Sequence, residues 1–241
     1  MNFLDLFWRD NAENYISKPF SIYHLIGLII IFAIIIIIYS FKKILQNSKY
    51  KSFYAYIIAF ILILHQASLY IWYISNDRLS LKESLPLYLC RLSVILCIIM
   101  LSTKSYKIFD IVYFWGLGGA TLALIFHDTS LYPFPHYIFI QFFVSHGGIL
   151  IATFYMMFVY SYKPTLNSLR RALNWTLIYF LLIIPINYLV DGNYCYLRYK
   201  PYSTPLDYLP NAPIFFVPFI IIGICLSFLL LYLPFNRKIS V

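Results

Sequence analysis

SIYHLIGLIIIFAIIIIIYS, Ser21 to Ser40, runs for twenty residues without one Asp, Glu, Lys or Arg. A helix of that length is about 30 Å long, the thickness of a bilayer's hydrocarbon core, and it satisfies its backbone polar groups internally, as lipid requires. The residues before it, Met1 to Phe20, carry Asp5, Asp10 and Glu13, and no small-residue cleavage site follows the run. That is not a secretory pattern, so the run is expected to be a retained helix with His24 near its outer end.

Working outward, six more apolar stretches qualify: Phe53 to Tyr73, Leu85 to Leu101, Ile108 to Phe126, His136 to Tyr160, Ala172 to Val190 and Ala212 to Leu233. The expected fold is therefore an all-α polytopic bundle of about seven transmembrane helices in a single domain, residues 1 to 241. Composition agrees. Hydrophobic residues make up 62% of the 241 and charged ones 11%, against about 25% in soluble domains, and the mean hydropathy is +0.77. A soluble fold of this size cannot hide so much apolar surface.

The net charge of +9 does not indicate nucleic acid, because Lys and Arg are scattered between apolar runs and form no basic stripe. It reports topology. The first, third and fifth connections and the C-terminus carry Lys42, Lys43, Lys49, Lys51, Lys104, Lys107, Lys163, Arg170, Arg171, Arg237 and Lys238, whereas the opposite side carries Arg9, Lys18, Arg78, Lys82, Arg198 and Lys200. Every acidic residue except Asp110 falls on the second side. By the positive-inside rule the N-terminus is outside and the C-terminus cytoplasmic, in a cell membrane, with Tyr and Trp anchoring the interfaces.

Strongly polar groups inside spans are costly, so they mark candidate chemistry. They are His65 and Gln66 in the second span, Cys90 and Arg91 in the third, Asp110 at the start of the fourth beside Lys107, Gln141 and His146 in the fifth, and Asn174 and Asn187 in the sixth. Pro86 suits the first turn of the third span and leaves Cys90 about one turn inside its outer boundary. Gly147 and Gly148 allow a neighbouring helix to approach His146. A thiol facing an imidazole makes a nucleophile and its base. Gln141 and Asn187 are candidates for holding an oxyanion, while Arg91, His136, Arg198 and Lys200 are candidates for binding a lipid headgroup. His65 and Gln66 read as hydrogen bonds between helices. The four cysteines form no CxxC pair, Cys90 and Cys97 stand seven apart on one helix face, and no metal site or cofactor is expected. The outer stretches Tyr132 to His136 and Asn193 to Pro201, rich in Pro and aromatics, suggest a rigid lid.

Four stretches together resemble the YwaF-like integral membrane family: Leu85-Pro-Leu-Tyr-Leu-Cys90, Tyr113-Phe-Trp-Gly-Leu-Gly-Gly119, Pro135-His-Tyr with Gln141-Phe-Phe-Val-Ser-His-Gly-Gly148, and Asn193-Tyr-Cys-Tyr-Leu-Arg-Tyr-Lys-Pro201. That family is similar to a mammalian transmembrane acyltransferase acting on lyso ether phospholipids. The resemblance implies an intramembrane nucleophile paired with a histidine, which map to Cys90 and His146. The expectation is a phospholipid acyltransferase or transacylase with a thioester intermediate, whose partners are membrane phospholipid and lysophospholipid. The alternatives are a lipid hydrolase at the same site, a small-solute transporter lined by His65, Gln141, His146 and Asn187, and a non-catalytic receptor or assembly factor.

Overall fold

The computed structural model describes residues 3–8, 20–126, 132–200 and 205–236. Among these every regular element is helical: α1 (Phe3–Trp8), α2 (Ile22–Ser40), α3 (Lys42–Asn47), α4 (Lys51–Ser75), α5 (Leu89–Thr103), α6 (Tyr106–Val112), α7 (Gly118–Ile125), α8 (Tyr137–Val159), α9 (Leu166–Leu189) and α10 (Pro213–Tyr232), with short 3-10 turns in addition. A π-helical turn, Tyr113–Leu117, joins α6 to α7 as one rod. The expected charges at Arg9, Lys18, Asp10, Glu13, His127, Asp128, Arg237 and Lys238 lie outside the described residues.

Six helices are long and apolar enough to cross a membrane: Ile22–Ser40, Lys51–Ser75, Tyr106–Ile125, Tyr137–Val159, Leu166–Leu189 and Pro213–Phe235. The stretch read as the third span forms only the 15-residue α5. At 1.5 Å per residue it reaches about 22 Å, short of a core of about 30 Å. The correction is local: residues 85–88 are turn rather than helix, so Pro86 precedes α5 instead of opening it, and Cys90 is its second residue. At the other extreme α9 starts six residues earlier than expected, because Thr165 and Ser168 form a reciprocal capping box.

The short helix is the central one. Val94, Cys97, Met100 and Leu101 of α5 are fully buried, packed among α4, α8 and the α6–α7 rod. Burial and not length keeps it in place. The rod runs antiparallel to α5 and α8, and its glycines make the joints close: a Cβ on Gly116 would stand 2.6 Å from Ile149 Cγ2. On the opposite side of α8, a Cβ on Gly147 would meet Ile31 of α2 at 2.6 Å, and one on Gly148 would meet Leu62 of α4 at 2.5 Å. Small residues take the place of a hydrophobic driving force, which lipid does not supply between helices. Between α2 and α4, with α8 as its floor, lies a carbon-lined slot of about 600 Å³.

His24 lies in the first turn of α2, near the helix end as expected, but is enclosed by protein. It is fully buried, where Nδ1 accepts from Phe20 N–H at 3.1 Å and Nε2 donates to the Leu124 carbonyl at 2.8 Å, closing the end of α7. Asp110 also differs: it lies in the second turn of α6, 2% exposed, and its carboxylate pairs with Arg171 of α9 rather than with Lys107.

Candidate functional site

Irregular backbone above α5 fills the space that its short length leaves. Two loop segments, residues 76–88 and 190–200, interlock there, and side chains satisfy their polar groups, as burial demands. Tyr194, with no exposed surface, donates its hydroxyl to the Leu81 carbonyl at 2.8 Å and accepts from Leu85 N–H at 3.1 Å. Asn187, 1% exposed, clamps the same residue from below: Nδ2 donates to the Tyr194 carbonyl at 3.0 Å, and Oδ1 accepts from its N–H at 2.7 Å. Asp191 bridges Lys82 and Arg198. Hydrogen bonds and charge from Lys82 and Arg198 hold the Asp191 carboxyl below its ordinary range.

This cap engages most of the residues expected to bind a headgroup or an oxyanion. Arg91 donates to the Glu83 carbonyl at 2.6 Å and to the Tyr73 hydroxyl, with its guanidinium over the Tyr73 and Tyr88 rings. Arg198 reaches Asp191 at 2.7 Å, and Lys200 donates to the Leu209 carbonyl at 2.7 Å. His136 caps α8, its Nδ1 accepting from Ile138 N–H at 3.1 Å. Each ties loop to helix. Asn187 is committed to Tyr194, Gln141 reaches His65, and His146 bonds the Phe142 carbonyl.

Cys90 lies directly beneath the cap. The Tyr88 side chain makes no capping bond, so Cys90 stands at the uncapped, electropositive end of α5. Next to it is Cys195, in left-handed backbone at φ 58°. That conformation costs about 1 to 2 kcal/mol for a residue with a Cβ, and it directs the thiol to the Leu87 carbonyl at 3.4 Å and the Leu89 amide. Burial pushes the Cys195 thiol up to about 12. The sequence singled out neither this contact nor its strain.

His146 stacks on Phe142 at 4.3 Å, and its Nδ1 lies 2.9 Å from the Phe142 carbonyl. A carbonyl only accepts, so Nδ1 carries the hydrogen and Nε2 the lone pair. His65, 6% exposed, accepts from Gln141 Nε2 at 3.5 Å. Its expected bond between helices is present, whereas Gln66 Nε2 is buried with no partner.

The relation between Cys90 and His146 follows from register. A Cβ on Gly116 meets both Ile149 of α8 and Ser93 of α5, at 2.6 and 3.8 Å, and a Cβ on Gly119 meets the Cys90 sulfur at 3.6 Å. Counting one turn outward from that lower layer gives Cys90 on α5, Gly119 on the rod and His146 on α8, three residues on in each case. The three therefore fall at a similar depth, and of the two side chains only the Cys90 sulfur comes within 4 Å of a Cβ on Gly119. No hydrogen bond joins Cys90 to His146, and neither residue lines the slot between α2 and α4. Cys97 lies two turns deeper, fully buried, and among the described residues no cluster of three His, Cys, Asp or Glu has the spacing of a metal site.

The stretch from Tyr113 to Gly119, one of those that carried the resemblance, thus proves to be the π turn and the glycine face opposite Cys90. π turns concentrate at functional sites because they displace a helix face by one residue. No curated protein and no solved structure matches this chain. The TMEM164 family model matches residues 16–232, nearly the whole length and all of the helices that build this layer, so the chain belongs to the TMEM164 family, a family of transmembrane proteins.

Proposed function

We propose that this multi-pass membrane protein is a phospholipid transacylase in which Cys90 is the nucleophile and His146 its base. His146 Nε2 takes the Cys90 proton, and the sulfur attacks the carbonyl carbon of a phospholipid ester. The alcohol of the departing lysophospholipid takes that proton back from His146, leaving a thioester on Cys90. The hydroxyl of a second lysophospholipid then gives its proton to His146 and attacks the thioester, which restores the thiol. Water in place of that hydroxyl makes the same site a lipase.

The observation that carries this reading is the packing of Gly119 against the Cys90 sulfur, at a depth that register also gives to His146 on α8. Three further features support it. The tautomer of His146 leaves Nε2 basic. The end of α5 offers backbone N–H groups where charge develops. The cap shields the layer from the water outside, as a transferase needs if it is to disfavour hydrolysis. Catalytic hydrogen bonds often tighten only when substrate binds, so an open Cys–His contact suits the resting enzyme. With α5 counted as the third of seven spans and the N-terminus outside, the proposed chemistry lies near the outer leaflet of the cell membrane.

The test is acyl exchange between a labelled phospholipid and a lysophospholipid in proteoliposomes of the purified full-length chain. Cys90→Ala is expected to abolish exchange. His146→Ala should reduce it by a factor of about 10² or more, the usual contribution of a general base. Exchange that survives Cys90→Ala at the wild-type rate ends the proposal.

A further inference from the structure

Ser93 has no exposed surface, and its hydroxyl is one of three buried side-chain polar atoms among the described residues without a hydrogen-bond partner. Buried serines in helices ordinarily bond the carbonyl four residues back, here that of Leu89. This one does not. A buried hydroxyl left unpaired is a standing cost to the fold, and such a cost calls for a compensating role.

Its position suggests what that role is. Ser93 stands three residues after Cys90 on the same face of α5, where side chains one turn apart are neighbours. Helical Cα–Cβ bonds tilt toward the N-terminus, so the surface that Ser93 covers is the turn bearing Cys90. Gly116 and Ile149 wall off the opposite direction. A rotation about χ1 between staggered wells aims the hydroxyl at the Cys90 sulfur. On the other side of that sulfur lies the uncapped end of α5.

We infer that Ser93 is the hydrogen-bond donor of the Cys90 site, unpaired while the thiol is neutral and engaged when negative charge forms on the sulfur. The inference rests on Cys90 being the nucleophile. A neutral thiol is a weak acceptor, and a thiolate a strong one. The same hydroxyl is therefore a cost in the resting state and a stabilising contact at the start of the reaction, so its effect appears in rate and not in stability.

Alkylation of Cys90 by iodoacetamide, followed peptide by peptide in the purified full-length chain in nanodiscs, tests this with Cys225 as internal reference. Ser93→Ala is expected to slow Cys90 alkylation about tenfold, the factor that one lost hydrogen bond to a charged group brings. Cys225 should react as before, and the thermal unfolding midpoint should hold or rise. An unchanged Cys90 rate overturns the inference, and so does a slowed rate with a lowered unfolding midpoint, which identifies Ser93 as structural. Wild-type Cys90 that reacts no faster than Cys225 overturns the nucleophile assignment itself and takes this one with it.

Discussion

Gly116 and Gly119 are one helical turn apart and look alike in sequence, yet they have opposite work. A Cβ at Gly116 would overlap Ile149 at 2.6 Å, whereas one at Gly119 would rest against the Cys90 sulfur at 3.6 Å, an ordinary contact. Gly116→Ala therefore overpacks the joint between the rod and α8 and should cost about 1 to 3 kcal/mol. Gly119→Ala should leave the unfolding midpoint close to wild type while placing a methyl against the Cys90 sulfur. Acyl exchange by Gly119→Ala should fall at least tenfold with stability kept, and Gly116→Ala should show the reverse emphasis. Thermal unfolding and exchange measured on the same preparations separate the two. Cys90 and His146 stood out in the sequence because polar groups are conspicuous in apolar runs, and their pairing is part of the proposal. Ser93 did not: a serine in a span is cheap and common, and only the absence of a partner gives it meaning. Arg91, Asn187, Arg198 and Lys200 stood out for the right reason, their cost in or near lipid, but that cost is met by loop carbonyls and Asp191.

At the scale of elements, the long helices were readable to within a few residues, because twenty apolar residues have one solution in lipid. Two elements were not readable. The π turn depends on how the rod packs between α5 and α8, and no residue type announces it. The shortening of α5 depends on a cap contributed by residues about a hundred positions later in the chain. Asp191 links the two halves of that cap, and the sign of its pH dependence follows from its depressed pKa. A carboxyl held below its ordinary value stabilises the fold at all pH values above the unfolded pKa and loses that effect as pH falls through the folded one. The cap should therefore be insensitive from neutral to mildly acidic pH and loosen only below about pH 4. Hydrogen exchange over residues 190–200, corrected for intrinsic rates, should show that threshold. Asp191→Asn should raise exchange at neutral pH and remove the acid dependence. Protection in Asp191→Asn equal to wild type would mean that the Asn187 and Tyr194 clamp holds the cap unaided.

For the whole molecule, the two ends of the bundle treat positive charge differently, and this bears on orientation. Cations at the end assigned outside are consumed within the fold: Lys82 and Arg198 by Asp191, Arg91 by loop carbonyls and tyrosine rings. At the opposite end Lys42 stands over Tyr39, Lys49 over Tyr50 and Lys104 over Tyr56. Long side chains resting on interfacial aromatics keep their ammonium groups at headgroup level. Unneutralised charge is what an anionic cytoplasmic leaflet attracts. Arg171, paired with Asp110, and Lys104, which also donates to the Leu101 carbonyl, are engaged within the fold at that end. The expected N-out arrangement with seven crossings is open to direct measurement. In a cysteine-free background, Leu79→Cys and Lys49→Cys place a thiol at exposed positions on opposite ends. A membrane-impermeant maleimide added to intact cells should label Leu79→Cys at once and Lys49→Cys only after permeabilisation. Were α5 to dip into the bilayer and return without crossing, helices on its two sides would change sense relative to one another. A third thiol at Lys163→Cys, beyond α8, would then be labelled from the side opposite to Lys49→Cys. With α5 as a true span, both lysine positions react together.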